Sequence, residues 1–229
     1  MTLFRLLPLL LLLVLPGCRK EHQWHQATTV TVGTPAGERS GTAVVEITAW
    51  FGKVLLSANE VEYRVRGEAV VVEVAPGKYL FALLGGSEER FYRAARDRFE
   101  GMRRGEWLGE IPGQTEPVEL TGKSVPLLVT FDDITDPKTV RRVEPSDLAA
   151  SFGPGVALKS VTLEITDEAV TEGRVEAVLG WWFDMRSGPY NNMTPLQLPN
   201  DSPRGWDHLS ALSFWSLDRV QEFDRRVKQ

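Results

Sequence analysis

Residues 27–51 read ATTVTVGTPAGERSGTAVVEITAWF. The first eight alternate between apolar and polar side chains, PAGERSG (35–41) is rich in turn formers, and TAVVEITAWF (42–51) alternates again. Two alternating runs around a Pro/Gly turn predict a β-hairpin. In the second arm Val45, Ile47, Ala49 and Phe51 share one face, while Val44, Glu46, Thr48 and Trp50 share the other. The first of these faces is the one expected to meet a core.

The same texture runs on through EVEYRVRG (60–67), EAVVVEVAPG (68–77) and KYLFALLG (78–85). Gly67 and the Pro76-Gly77 pair punctuate these arms. An antiparallel sheet of four or five strands is therefore expected over 27–84. The period then changes. In SEERFYRAARDRFEGM (87–102), Phe91, Ala95, Phe99 and Met102 fall on one helical stripe, Ser87 is placed as N-cap and Gly101 closes the segment. Arg90, Arg93, Arg96, Asp97 and Glu100 fall on the opposite side, read as a solvated face with local ion pairs rather than an anion site.

Further along, VPLLVTFDD (125–133) reads as a buried strand and PSDLAASFG (145–153) as a short helix closed by Gly153. VALKSVTLEIT (156–166) reads as a strand whose phase slips near Lys159-Ser160, the mark of a bulge. RVEAVLGWWF (174–183) reads as one more strand, 184–208 as a long loop, and SLDRVQEFDRRVKQ (216–229) as a C-terminal amphipathic helix. The assembled expectation is an α+β fold with a mostly antiparallel sheet, a mid-chain helix, a short helix and a C-terminal helix. It forms one globular body over 27–229, with a sub-boundary placed near 105–118.

The N-terminus has a different character. Arg5 precedes an apolar run from Leu6 to Leu15. As a helix that run spans ~15 Å, whereas a bilayer core needs roughly 20 apolar residues. The layout is that of a signal peptide over 1–17. It ends in Leu15-Pro16-Gly17-Cys18, which resembles the lipobox of bacterial lipoproteins; Leu15, Gly17 and Cys18 match, and Pro16 stands where a small residue is usual. The resemblance implies cleavage before Cys18, a diacylglyceryl thioether on its sulfur and an acyl chain such as palmitate on its amine. Arg19 stands where an Asp would imply inner-membrane retention, so the resemblance implies the outer membrane of a Gram-negative envelope, facing the periplasm. Residues 18–26 are expected to be a polar tether. The stretch 127–171 also resembles a group of bacterial envelope proteins of uncharacterised activity, which implies no chemistry.

Cys18 is the single cysteine. An exported body without disulfides must be held by its core, which this length can supply. Lys and Arg number 26 against 31 Asp and Glu, a net charge of −5, and loss of Arg5 makes the balance more negative. Such a chain is a poor fit to nucleic acid, which rewards a basic face.

Four patterns bear on chemistry. Asp132, Asp133 and Asp136 cluster where a strand enters a turn, and clustered carboxylates can bind Mg²⁺ or Ca²⁺; the competing reading is turn capping. Gly122-Lys123-Ser124 resembles the end of a P-loop, but the earlier Gly is Pro117 and a strand follows, so a phosphate cradle is rejected. His22 and His25 in the tether, with His208, are the only histidines and are read as non-ligands. Trp181, Trp182, Tyr190, Trp206 and Trp215 crowd the C-terminal third. They are read as core, or as rings that stack on a glycan or peptide. The expectation is a lipid-anchored binding or assembly-support module of the envelope, without a cofactor, attached to membrane through Cys18 and meeting an envelope protein or glycan. The alternative is a metal-dependent or carboxylate-based hydrolase of envelope material.

Overall fold

The computed structural model describes residues 20–52, 60–103, 105–181, 196–197, 208–209 and 214. The expected leader with Cys18, and the expected helix over 216–229, lie outside the described residues. Nine strands form two antiparallel sheets. The strands are β1 (Lys20–Thr34), β2 (Gly37–Gly52), β3 (Glu60–Arg66), β4 (Val70–Ala75), β5 (Lys78–Ala82), β6 (Val118–Glu119), β7 (Leu128–Phe131), β8 (Val140–Val143) and β9 (Ala157–Thr166). Among the described residues the α-helices with assigned bounds are α1 (Ser87–Ala94), α2 (Ala149–Phe152) and α3 (Arg174–Val178). One sheet runs β3-β2-β1-β9-β6 and the other β4-β5-β7-β8. A two-residue ladder, Leu196–Gln197 with His208–Leu209, stands apart from both.

The expected hairpin is β1–β2, with Thr34 opposite Gly37 at its tip. Val45, Ile47 and Ala49 are buried in the main core as their phase predicts, and Phe51 packs on its margin. The hairpin is longer than the alternation of 27–51 suggested. Residues 20–26 are not a tether: they belong to β1, where Trp24 and Gln26 are buried. The polar spelling RKEHQWHQ hid the strand because its outward residues are charged or amide and its inward ones include a buried Gln. His22 and His25 sit three apart on a strand and so point to opposite faces, which separates the histidine pair.

A second difference concerns the sheet over 27–84. Its strands are present, but they divide between two sheets. The chain leaves β3 for β4 at Gly67, whose φ of 135° is open to glycine and whose missing Cβ leaves room for Val45. β4 then crosses β2 so closely that the backbone of Gly41 lies against the carbonyl of Val71. The expected bulge in β9 is real: the register with β1 steps from Thr31↔Ser160 to Val32↔Leu158, leaving Lys159 as the extra residue. The extra residue returns Val156 and Leu158 to the face used by Val161 and Leu163.

The two sheets share the main core, which takes Val30, Val32 and Ile47 from one and Val72, Leu80 and Leu128 from the other. The four-stranded sheet is buried on its outer face as well. Phe81, Val129, Phe131 and Val140 point there, against Val175 and Leu179 and against Phe214. Two-sided burial explains why KYLFA reads as a continuous apolar run instead of an alternation. Residues 107–120, across the sub-boundary placed near 105–118, contribute Trp107, Leu108, Ile111, Val118 and Leu120 to the main core.

Two helical expectations change. The segment over 87–102 is α-helical only to Ala94 and continues as a 3₁₀ helix over Arg96–Phe99. Phe91, Ala95 and Phe99 stay buried, but the tighter winding carries Met102 off the stripe and leaves it 40% exposed. The segment over 174–183 begins as α3, not as a strand. Its start is fixed by Glu68, which lies far away in sequence, and Val175 and Leu179 bury together at helical spacing.

Candidate functional site

The aspartate turn joins β7 to β8. Asp133 Oδ1 accepts from Thr135 N at 2.9 Å and from Thr135 Oγ1 at 2.7 Å. These bonds hold its carboxyl below the usual carboxylate range. Asp136 Oδ1 accepts from Lys138 N at 2.9 Å and caps the 3₁₀ turn Pro137–Thr139. Asp132 Oδ1 takes the Arg141 guanidinium, with Nη2 at 2.6 Å. Each carboxylate thus has one oxygen engaged by its own turn or by Arg141. Among the described residues no group of three or more His, Cys, Asp or Glu side chains is placed to hold a metal ion.

Trp181 supports that turn from below. Its Nε1 donates to the carbonyl of Ile134 at 2.6 Å, and its ring stands edge-on to Phe131 with centroids 5.7 Å apart. It is a packing residue with its polar tip satisfied, not a platform for a ligand. Trp182, Tyr190, Trp206 and Trp215 lie outside the described residues, as does the His208 side chain.

A polar seam runs between the sheets where α1 begins. Helix α1 starts after Gly86, which takes the left-handed conformation at φ 76°, so Ser87 is its first residue and not its cap. Gln26 Nε2 donates to the Ser87 carbonyl at 2.9 Å, and Trp24 Nε1 donates to Gln26 Oε1 at 3.2 Å. Arg90, expected on a solvated face, is turned inward and donates to the Gly85 carbonyl at 2.6 Å. Burial pushes its guanidinium down to about 10. Arg93 instead pairs with Glu89 at 3.0 Å on the surface, so the arginines do not converge on one anion. Ser87 Oγ has no hydrogen-bond partner among the described residues, beside a void of ≈ 10 Å³ between the sheets. Such a void is about one water in size.

Glu68 lies at the other end of this seam and is 2% exposed. Its two carboxylate oxygens accept from Arg174 N at 3.0 Å and Val175 N at 3.3 Å, capping α3. Burial raises its carboxyl above its ordinary value of 4.5, against the lowering effect of those two bonds. The sign follows from linkage. A raised folded value means stability fully present below the unfolded value and lost as pH rises through the folded one. The stability of the native chain relative to Glu68→Gln, measured by urea unfolding, is therefore expected to fall as pH rises from 4 to 7. A difference flat across that range would remove the desolvation argument.

Capping by Glu68 places α3 and the segment before it along the part of β2 that runs past its pairing with β3, which covers only Glu46–Gly52. Thr171 closes a two-bond clip there: its N donates to the Val44 carbonyl at 3.0 Å and its Oγ1 accepts from Val44 N at 2.9 Å. Arg174 Nη1 donates to the Thr42 carbonyl at 3.0 Å. Between these elements lies an open groove of ≈ 500 Å³, lined by Thr42, Val44, Glu168, Thr171, Glu172 and Arg174. His25 stands beside it, Nδ1 donating to the Glu168 carbonyl at 2.7 Å and Nε2 lying 3.3 Å from Glu46 Oε2. Glu172 pairs with Arg66 at 3.0 Å. The groove offers hydroxyls, carboxylates and one guanidinium in fixed positions. Among the described residues none of its hydroxyls is paired with a base.

Comparison of the chain with protein-family models, curated proteins and solved structures returns no match. The groove residues were not singled out by the sequence. Glu168, Thr171, Glu172 and Arg174 spell an ordinary polar loop, and only the contact with Glu68 and β2 gives them a common purpose.

Proposed function

We propose that the chain is a lipid-anchored, periplasm-facing module of the bacterial envelope that binds another envelope component and supports its assembly. The observation that carries the reading is the ≈ 500 Å³ polar groove beside Thr42 and Val44 of β2, bounded by the Thr171 clip and the Glu68-capped helix. The occupant favoured by its lining is a polar protein segment or a glycan, since hydroxyls and carboxylates alternate there with a single guanidinium. The lipobox residues supply the address, with membrane attachment through acyl chains on Cys18. Two or three chains at roughly 0.8 kcal/mol per buried CH₂ make that attachment effectively permanent.

The test uses the lipidated full chain in its own envelope. A photo-crosslinking residue at Glu168 is expected to give a discrete adduct, and the same residue at the exposed Lys123 none. Equal crosslinking at both positions would remove the groove from the account. In the same strain Cys18→Ser is expected to abolish lipid labelling and to move the protein from the membrane to the soluble fraction. Labelling that persists in this variant would overturn the anchor.

A further inference from the structure

The strand that begins the body starts at Lys20, two residues after Cys18. Two residues reach at most ~7 Å. If the acyl chains sit on Cys18, the end of β1 is held against the headgroups with no slack. The elements gathered at that end can be named. Lys20 pairs with Phe51 and Glu21 with Trp50 across the hairpin. Trp50 Nε1 donates to Glu21 Oε2 at 2.6 Å, leaving the half-buried indole on the outer face. A Cβ built on Gly105 would lie 2.6 Å from the Phe51 ring, so the segment around Gly105 presses on the same rim. Just before it in sequence come Met102, the one exposed large apolar side chain among the described residues, and Arg103, whose side chain is 90% exposed.

We propose that the rim formed by Lys20, Trp50, Phe51, Met102 and Arg103 rests on the phospholipid bilayer that holds the anchor. The proposal rests on the lipid-anchor reading above and adds an orientation to it. Three observations choose the bilayer as occupant. The chain between anchor and body is too short to let the rim stand away from the surface. The rim carries an indole, a thioether and two cations on long stems, with Glu21 and Glu106 as near partners, and the first four suit the headgroup boundary, where Trp, Lys and Arg place an apolar body inward and a polar tip in water. Lys20 and Arg103 can also turn to anionic headgroups, Arg103 from its exposed pair with Glu106 at 3.7 Å. In this orientation the hairpin tip at Ala36 is the far end of the molecule. Fifteen residues of β1 at about 3.3 Å each put it nearly 50 Å from the rim.

The lack of any cysteine besides Cys18 gives the test its handle. Met102→Cys and, separately, Ala36→Cys in the lipidated full chain can each carry one environment-sensitive fluorophore, because a thioether at Cys18 does not react. The proteins are reconstituted into vesicles of phosphatidylethanolamine and phosphatidylglycerol containing a headgroup spin label. Expected are a blue shift and loss of emission at position 102, and unchanged emission at 36. Adding Lys20→Glu and Arg103→Glu is expected to weaken the quenching at 102 while the protein still floats with the vesicles. Emission at 102 that matches position 36 in protein that floats would overturn the docking and leave the anchor standing. Protein that does not float, with Cys18 open to the fluorophore, would overturn the anchor itself.

Discussion

Phe81→Ala is expected to lower the free energy of unfolding by about 3–5 kcal/mol, the range for removing a fully buried aromatic ring. Phe81 is 0% exposed at the middle of the four-stranded sheet. Its ring is edge-on to Phe131 at 5.6 Å and to Phe214 at 5.8 Å. Each such pair adds ~0.5–1.5 kcal/mol beyond area burial, and one substitution removes both. The ring also joins residue 214 to the strands, beside the contact of Phe214 with Phe131 at 6.3 Å and the Phe214 carbonyl, which accepts from Ala69 N at 2.8 Å. Urea unfolding followed by tryptophan emission measures the effect. A loss below ~1 kcal/mol would mean that the outer layer of this sheet is not packed as described.

The second large effect is expected from Gly41→Ala, a change of one methyl group. Where β4 crosses β2, a Cβ on residue 41 would collide with the carbonyl oxygen of Val71, a backbone atom that cannot rotate away. Relief requires the two sheets to separate locally, and about 3 kcal/mol, the upper end for overpacking, is the expected cost. Gly85→Ala is the control. A Cβ there meets nothing within 4 Å, so its thermal midpoint is expected to stay near that of the native chain. Similar melting of the two variants would argue that the sheets do not approach at Gly41.

Much of this architecture was legible in the chain. The β1–β2 hairpin, the inward face of Val45, Ile47 and Ala49, the bulge at Lys159 and the antiparallel α+β class all follow from local periodicity. What was not legible depends on contacts between distant residues. Alternation says that β3 and β4 are strands, but not that Gly67 sends them into different sheets. RVEAV carries a strand-like alternation, and only a carboxylate at Glu68 makes it a helix. Arg90 looks solvated on a helical wheel, and only the carbonyls of Leu83 and Gly85 turn it inward. The candidate site was the least legible part. Asp132, Asp133 and Asp136 drew notice because like charges adjoin in sequence, whereas the groove is assembled from β2 and the 168–174 segment, which meet only on folding.

The order β2-β1-β9 has a consequence for the birth of the molecule. The N-terminal strand occupies the interior of its sheet, and Thr28 finds its second neighbour only in Leu163. A chain made from its N-terminus therefore carries one side of this strand unsatisfied until most of the polypeptide has followed. Pairings so distant in sequence form late and slowly. The topology itself delays closure of this sheet until β9 has been made.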